Sequence, residues 1–321
     1  MIRPRGALLA AAVVIAGCGT SGVGIEDAEP PVTLFADDEA AAEAVGDDVE
    51  ITTSEPPAAT VVRAPVPAPR GDALGIVFRA GVALPVTAVD ESGWTATRPC
   101  GEPLVAASPT PQTFVVMADP GGDAGIDPDS VAVAELVAEA LAAELDGVEV
   151  TSALTRRTSA DVAIADRLAA VDASGARVLV SVVVGDDPSD GFEVVHRAAD
   201  TESHRLAGLV LVAALAELAE VDLDLGGDPA VTAVINQRGS DYYAALRSDD
   251  LVAVVVRLPA SAAQLDVVDA IAARLGRAMA AGVYDFLTTD SAPQFGAPTE
   301  TVRTAPIASG TAECVDPTEP D

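Results

Sequence analysis

Phe114-Val115-Val116-Met117-Ala118-Asp119-Pro120-Gly121-Gly122-Asp123 runs a buried strand straight into a loop. Four apolar residues in a row predict the strand, and the Asp-Pro-Gly that follows ends it, a common way to open an active-site loop. Working outward, Ser130 to Leu145 places Ala134, Val137, Leu141 and Leu145 at spacings of three and four, which predicts a helix. Val148-Glu149-Val150 reads as a strand that leads through Leu154-Thr155-Arg156 into a turn. A helix is expected from Arg167-Leu168-Ala169-Ala170 toward Gly175-Ala176-Arg177, followed by the buried strand Val178-Leu179-Val180-Ser181-Val182. Leu251 to Val256 is a further apolar strand. A last helix, Leu265 to Phe286, carries Val268, Ile271, Leu275, Met279, Val283 and Phe286 on one stripe.

This ordered series, from about Thr113 to Leu287, resembles the zinc-dependent N-acetylmuramoyl-L-alanine amidases, peptidoglycan hydrolases whose first motif runs Asp-Pro-Gly-His-Gly-Gly. The order of the elements carries the resemblance; no one motif does. It implies an α/β fold: a single three-layer domain with a central, mostly parallel or mixed sheet flanked by helices. In that family zinc is held by a histidine after Asp-Pro-Gly, a glutamate before the first helix and a histidine at a strand end. A catalytic zinc needs about three protein ligands and an open position for water. Here Gly122 stands at the first histidine, and Val183 at the third ligand. The carboxylate nearest the glutamate position is Asp127 or Asp129. The family's general base, a glutamate, falls on Arg257, whose guanidinium stays protonated at physiological pH and cannot take a proton.

The resemblance therefore implies a hydrolase frame without its catalytic residues, and a pseudoenzyme with no zinc is expected. Its function would be to bind peptidoglycan or to regulate a wall enzyme. Two alternatives stand beside it: an active amidase with a rearranged metal site, and a structural lipoprotein scaffold. A vacated pocket would leave Asp119, Asp123 and Asp127 close together, and Arg257 could then replace the lost cation. The competing expectation is that Arg257 reaches solvent at a strand end.

Other residues give little from which to rebuild a site. His196 and His204 are the two histidines, and their spacing of eight puts them on no shared helical face, so they are read as exposed or capping. Asp119, Asp123, Asp127 and Asp129 lack the spacing of a calcium loop. They are read as a solvated loop with Asp129 or Ser130 as the helix N-cap. No serine stands in a Gly-x-Ser-x-Gly setting.

The flanks are of a different character. Residues 1–18 read as a lipoprotein signal peptide: Arg3 and Arg5, the apolar run Ala7 to Ala16, then Ile15-Ala16-Gly17-Cys18, which resembles a bacterial lipobox. Cys18 is the expected lipidation site, and the protein is expected to be exported and anchored to the cell membrane by that lipid, facing the envelope. Residues 19–72, acidic and proline-rich with few aromatics, predict a disordered tether. Residues 73–110 predict a small β module, with Ile76-Val77-Phe78, Val82 to Val86 and Trp94 to Thr97 as strands and Trp94 as a core anchor. The amidase-like domain follows over 111–288, and a C-terminal tail of mostly loop over 289–321. With Cys18 lipidated, Cys100 and Cys314 remain, and an oxidising compartment predicts a disulfide between them. The net charge is −32 and all 18 basic residues are arginine. Such a charge argues against nucleic acid and against anionic wall polymers, and points to a basic protein partner or to solubility.

Overall fold

Successive side chains of a strand point to opposite faces of a sheet, so a strand buried on both faces must feed two cores. Three central strands do this: β5 (Val116–Pro120), β7 (Val178–Val184) and β10 (Val252–Leu258). Val116, Ala118, Val178, Val180, Val182, Val254, Val256 and Leu258 join one hydrophobic cluster; Met117, Leu179, Ala253 and Val255 join another. The first cluster is completed by helices α1 (Pro128–Gly147), α3 (Thr201–Leu218) and α4 (Val268–Thr288). The second is completed by α2 (Ile164–Ala173) and by Ile76 and Ala83 of a separate small sheet. The result is helices, sheet, then helix and small sheet, the expected α/β class with three layers.

The computed structural model describes residues 64–121, 128–157, 162–185, 191–219, 228–259, 262, 268–292, 299–304 and 316–318. These fall in one compact unit spanning Val61–Asp321. The large sheet adds β6 (Ser152–Leu154), β8 (Glu193–His196), β9 (Ala230–Asn236) and β11 (Thr299–Arg303), in the order β11-β9-β8-β10-β7-β5-β6. β6, β5, β7 and β10 are mutually parallel, β8 runs against β10, and β9 and β11 follow β8. The small sheet is an antiparallel meander, β1 (Ile76–Arg79), β2 (Val82–Asp90), β3 (Gly93–Thr97) and β4 (Pro103–Ala106). Trp94 is its anchor: the ring is buried with Val77, Leu84, Val86 and Ala96, and Nε1 donates to the Pro109 carbonyl at 2.7 Å.

Glycine lets the helical layer close. A Cβ on Gly276 of α4 would lie 2.4 Å from the Ala140 Cβ of α1, and one on Gly282 2.7 Å from the Val210 Cα of α3. Both contacts are against backbone or a stub side chain that cannot swing away, so any larger residue would overpack the layer, at about 1–3 kcal/mol.

The elements differ from the sequence expectation in places where local patterns mislead. Val148 to Val150 is not a strand. Its amides donate to Leu145 and Asp146 carbonyls and terminate α1, Glu149 has φ 66°, and the strand starts later, with Ser152 opposite Val116. Asp129 and Ser130 do not cap α1, because the helix already begins at Pro128, where a proline loses no hydrogen bond. The C-terminal region supplies the edge strand β11, paired in parallel with β9. On the N-terminal side the chain is already docked at Ala68 and Arg70: Arg177 Nε donates to the Ala68 carbonyl at 2.6 Å, and Arg70 pairs with Asp172 at 2.8 Å.

Candidate functional site

The carboxyl ends of parallel strands are where an open α/β sheet presents its loops. Here β5 ends in Asp119-Pro120, β6 leads into Thr155-Arg156, β7 ends near Val183 and β10 near Arg257. On the face covered by α2, Asp119 lies opposite Ser181, and Val183 opposite Arg257. The structure therefore places Val183 beside Arg257, with Asp119 one step along the same edge.

Asp119 is sealed from water and fully engaged. Its Oδ1 accepts from Thr155 Oγ1 at 2.6 Å and Arg167 Nη1 at 2.7 Å, and its Oδ2 accepts from Ser181 Oγ at 2.9 Å. Arg167, only 2% exposed, also donates to the Pro120 carbonyl at 3.1 Å. That carbonyl receives Arg156 as well, through Nη2 at 2.9 Å. Two buried guanidiniums thus lock the turn after β5. Gly121 is pinned to β7 by its own amide, which donates to the Val182 carbonyl at 2.7 Å. A Cβ at this position would sit 2.4 Å from Val183 Cγ1, so the valine occupies the space into which a side chain would project.

Arg257 is 2% exposed, which rules out the expectation that it reaches solvent at the strand end. Nor is it the cation against Asp119; that cation is Arg167. Arg257 meets its cross-strand neighbour Glu193, with Nη1 and Oε2 2.9 Å apart in an ion pair whose N–H is not aimed along a hydrogen bond. Burial raises the pKa of the nearby Tyr243 phenol, and the positive charges of Arg257 and Arg303 partly oppose that. The reason is geometric. Residues directly opposite on adjacent strands meet first, and Glu193 is opposite Arg257, whereas Asp119 lies two strands away across β7. Asp123, Asp127 and Gly122 lie outside the described residues, as do Cys18 and Cys314.

Sequence reading passed over Glu193 and Tyr243, and it did not join Thr155, Ser181 and Arg167 to Asp119. An arginine within the otherwise small and apolar Leu168-Ala169-Ala170 helix start was the available signal. The described residues at this edge do not fit a zinc ion. Val183 offers only alkyl groups, Arg257 a cation, and both Asp119 oxygens are already held by donors. Among the described residues no group of three or more His, Cys, Asp and Glu is placed to hold a metal.

The two histidines, read from the sequence as exposed or capping and on no shared helical face, touch. His196 ends β8 in the interior, and His204 stands in the first turns of α3, which is capped by Asp200. The strand end and the helix start bring together residues that periodicity within one helix would separate. His196 Nδ1 lies 2.7 Å from the Arg197 carbonyl and so carries the proton, leaving Nε2 to accept from His204 Nδ1 at 3.2 Å. Burial lowers the His196 pKa, and His204 adds to this; the Arg197 carbonyl, Asp200 and Asp241 act the other way.

No family model and no curated protein matches the chain. Solved structures similar to it include Cwp6 from Clostridium difficile, at 16% identity and TM-score 0.46, where the match spans 55% of this chain and 29% of that one. The N-acetylmuramoyl-L-alanine amidase AmiC2 of Nostoc punctiforme aligns at 17% identity and TM-score 0.42 over 54% of this chain and 97% of its own. An N-acetylmuramoyl-L-alanine amidase from Clostridium difficile 630 aligns at 17% and 0.44 over 56% and 100%. At such values the likeness by itself decides neither fold nor activity.

Arg167→Ala should cost about 3–5 kcal/mol in chemical denaturation, because it leaves Asp119 charged and enclosed. Arg257→Ala should cost clearly less, since the Glu193 side chain is 23% exposed and can turn to water. Equal losses would refute this ranking. For His196, the folded pKa lies below the unfolded value of about 6.5, so the unfolded chain binds the proton first as pH falls. Stability should decline as pH drops below about 6.5, and His196→Gln should flatten that slope; parallel slopes for the two proteins would exclude the assignment.

Proposed function

We propose that this chain is an exported, lipid-anchored, amidase-like protein of the cell envelope that does no zinc hydrolysis and instead binds peptidoglycan. The observation that carries the reading is the contiguous set Gly121, Val183 and Arg257 at the carboxyl edge of β5, β7 and β10. In the family that the sequence resembles, this edge would hold a ligand and a base. In this chain it holds an alkyl group and a guanidinium tied to Glu193. Zinc-assisted hydrolysis of the N-acetylmuramoyl–L-alanine bond needs a bound metal that polarises the carbonyl and activates water, and Val183 and Arg257 at this edge cannot ligate one. What the frame retains is a strand edge held by buried hydrogen bonds and ion pairs, which suits recognition.

The test is direct. Purified protein offered zinc should retain no stoichiometric metal, should release no stem peptides from sacculi, and should co-sediment with them. One zinc per chain together with peptide release would restore the active amidase. Absence of both cleavage and co-sedimentation would instead favour the scaffold reading.

The anchor and the cross-link belong to the same proposal. Ile15-Ala16-Gly17-Cys18 motivates acylation of Cys18. For the Cys100–Cys314 bridge, the support is that Cys100 does not stand as a free thiol and that residues just beyond Cys314 lie against the small sheet. The Asp316 carboxylate is 3.4 Å from Arg98 Nη1, and the Thr318 carbonyl accepts from Arg79 Nε at 3.1 Å. Cys18→Ala should move the protein out of the membrane fraction, and non-reducing peptide mapping of the wild type should recover Cys100 linked to Cys314. An unacylated mature N-terminus downstream of Cys18 would remove the anchor, and two alkylatable thiols would remove the bridge.

A further inference from the structure

Helix α2 has a second face. Arg167, Ala170 and Val171 are buried toward the large sheet, while Asp166, Ala169 and Asp172 line a cavity of about 410 Å³ shared with β2 of the small sheet. That volume lies within the range of small-ligand sites, about 300–1,000 Å³. The wall is aliphatic, with Leu84, Val86 and Ala169 against it, and the carboxylates are Asp72, Asp166 and Asp172. Asp172 is neutralised by Arg70. Asp166 is not neutralised: it is half-buried, its carboxylate makes no hydrogen bond or ion pair among the described residues, and it faces the like charge of Asp316. Burial, with Asp316 second, raises its pKa, the behaviour of a carboxylate that lacks a cation.

We propose that this cavity binds an alkyl-ammonium group, the amine end of a lysine-like side chain, with Asp166 as its counter-ion and the aliphatic wall along its methylenes. The chemistry narrows the ligand. A hard metal ion would require six or more oxygen donors, and this wall is largely alkyl. A quaternary ammonium is recognised by an aromatic cage, and no aromatic ring lines the cavity. A primary ammonium supplies donors for a carboxylate and an apolar stem for the wall. The chain contains no lysine, so such a group comes from another molecule. The site lies across α2 from the strand edge at Asp119 and is independent of peptidoglycan binding there.

Isothermal titration and two-dimensional NMR of the full chain would use N-acetyl-lysine methylamide as the probe, N-acetyl-norleucine methylamide as the uncharged match, and cadaverine as a free diamine. The lysine probe should bind saturably with shifts at Leu84, Val86 and Ala169. The norleucine probe should not bind, and Asp166→Asn should weaken the lysine probe tenfold or more. Asp166→Asn removes a desolvated charge from a half-buried position, so it should melt no lower than wild type, and a loss of binding would then be a loss of the site. Preference for the lysine probe over cadaverine would assign the cavity to a peptide, and the reverse to a free diamine. No saturable binding of either amine, equal binding of the norleucine probe, or undiminished binding by Asp166→Asn would overturn the proposal. None of these outcomes bears on sacculus co-sedimentation or on zinc.

Discussion

A single enclosed carboxylate holds the working edge of the molecule together. Asp119 joins β5 to the segment after β6 through Thr155, to β7 through Ser181 and to α2 through Arg167. Enclosed charge is costly unless it is paired and its remaining lone pairs are met. Both conditions are satisfied, and satisfying them fixes two strands, the segment after a third and a helix relative to one another. The Pro120 carbonyl, which accepts from both Arg156 and Arg167, extends the lock by one residue into the turn. Loss of one donor would leave a charge where water cannot reach, so the whole edge depends on that pairing.

The same helix serves two faces because its sequence mixes charge and small residues at helical spacing. Arg167 points inward to Asp119, and Asp166, its immediate neighbour, points to the cavity under β2. Asp119 is therefore fully compensated, while Asp166 has no cation among the described residues. Since all the basic residues are arginines and the acids outnumber them by 50 to 18, not every acid can be paired within the chain. Long-range repulsion at a net charge of −32 favours solubility, and it also makes an unpaired, half-buried acid a place for an external cation.

At the strand edge, the packing is local. Val183 fills the space beside Gly121, and Arg257 takes a carboxylate partner from the adjacent antiparallel strand. Both arrangements are compact, since a β-branched alkyl group and a paired guanidinium both fit a two-sided buried sheet. The His196–His204 pair shows the opposite case, two imidazoles in contact at the junction of a strand and a helix, where burial keeps His196 neutral.

Periodicity and apolar runs were enough to place α1, α4, β7 and β10, because a helix or strand that is buried must repeat its apolar residues at 3.6 or keep them continuous. They were enough as well for the α/β class and for the strand end at Asp119-Pro120. The adjacency of Val183 and Arg257 was not legible, because the order of strands in a sheet is set by crossovers and packing. The partners of Asp119 and Arg257 were hidden for the same reason: Arg167 and Glu193 lie 48 and 64 residues away and meet them only through the register of the sheet and the docking of α2. Short strands such as β8, inside the sheet, and β11, at its edge, carry too few apolar residues to announce themselves, and they form because neighbouring strands offer unpaired amides and carbonyls. Composition and local pattern thus determined which segments are buried, while the tertiary structure alone decided which charges face one another, since ion pairing depends on distances between segments far apart along the chain.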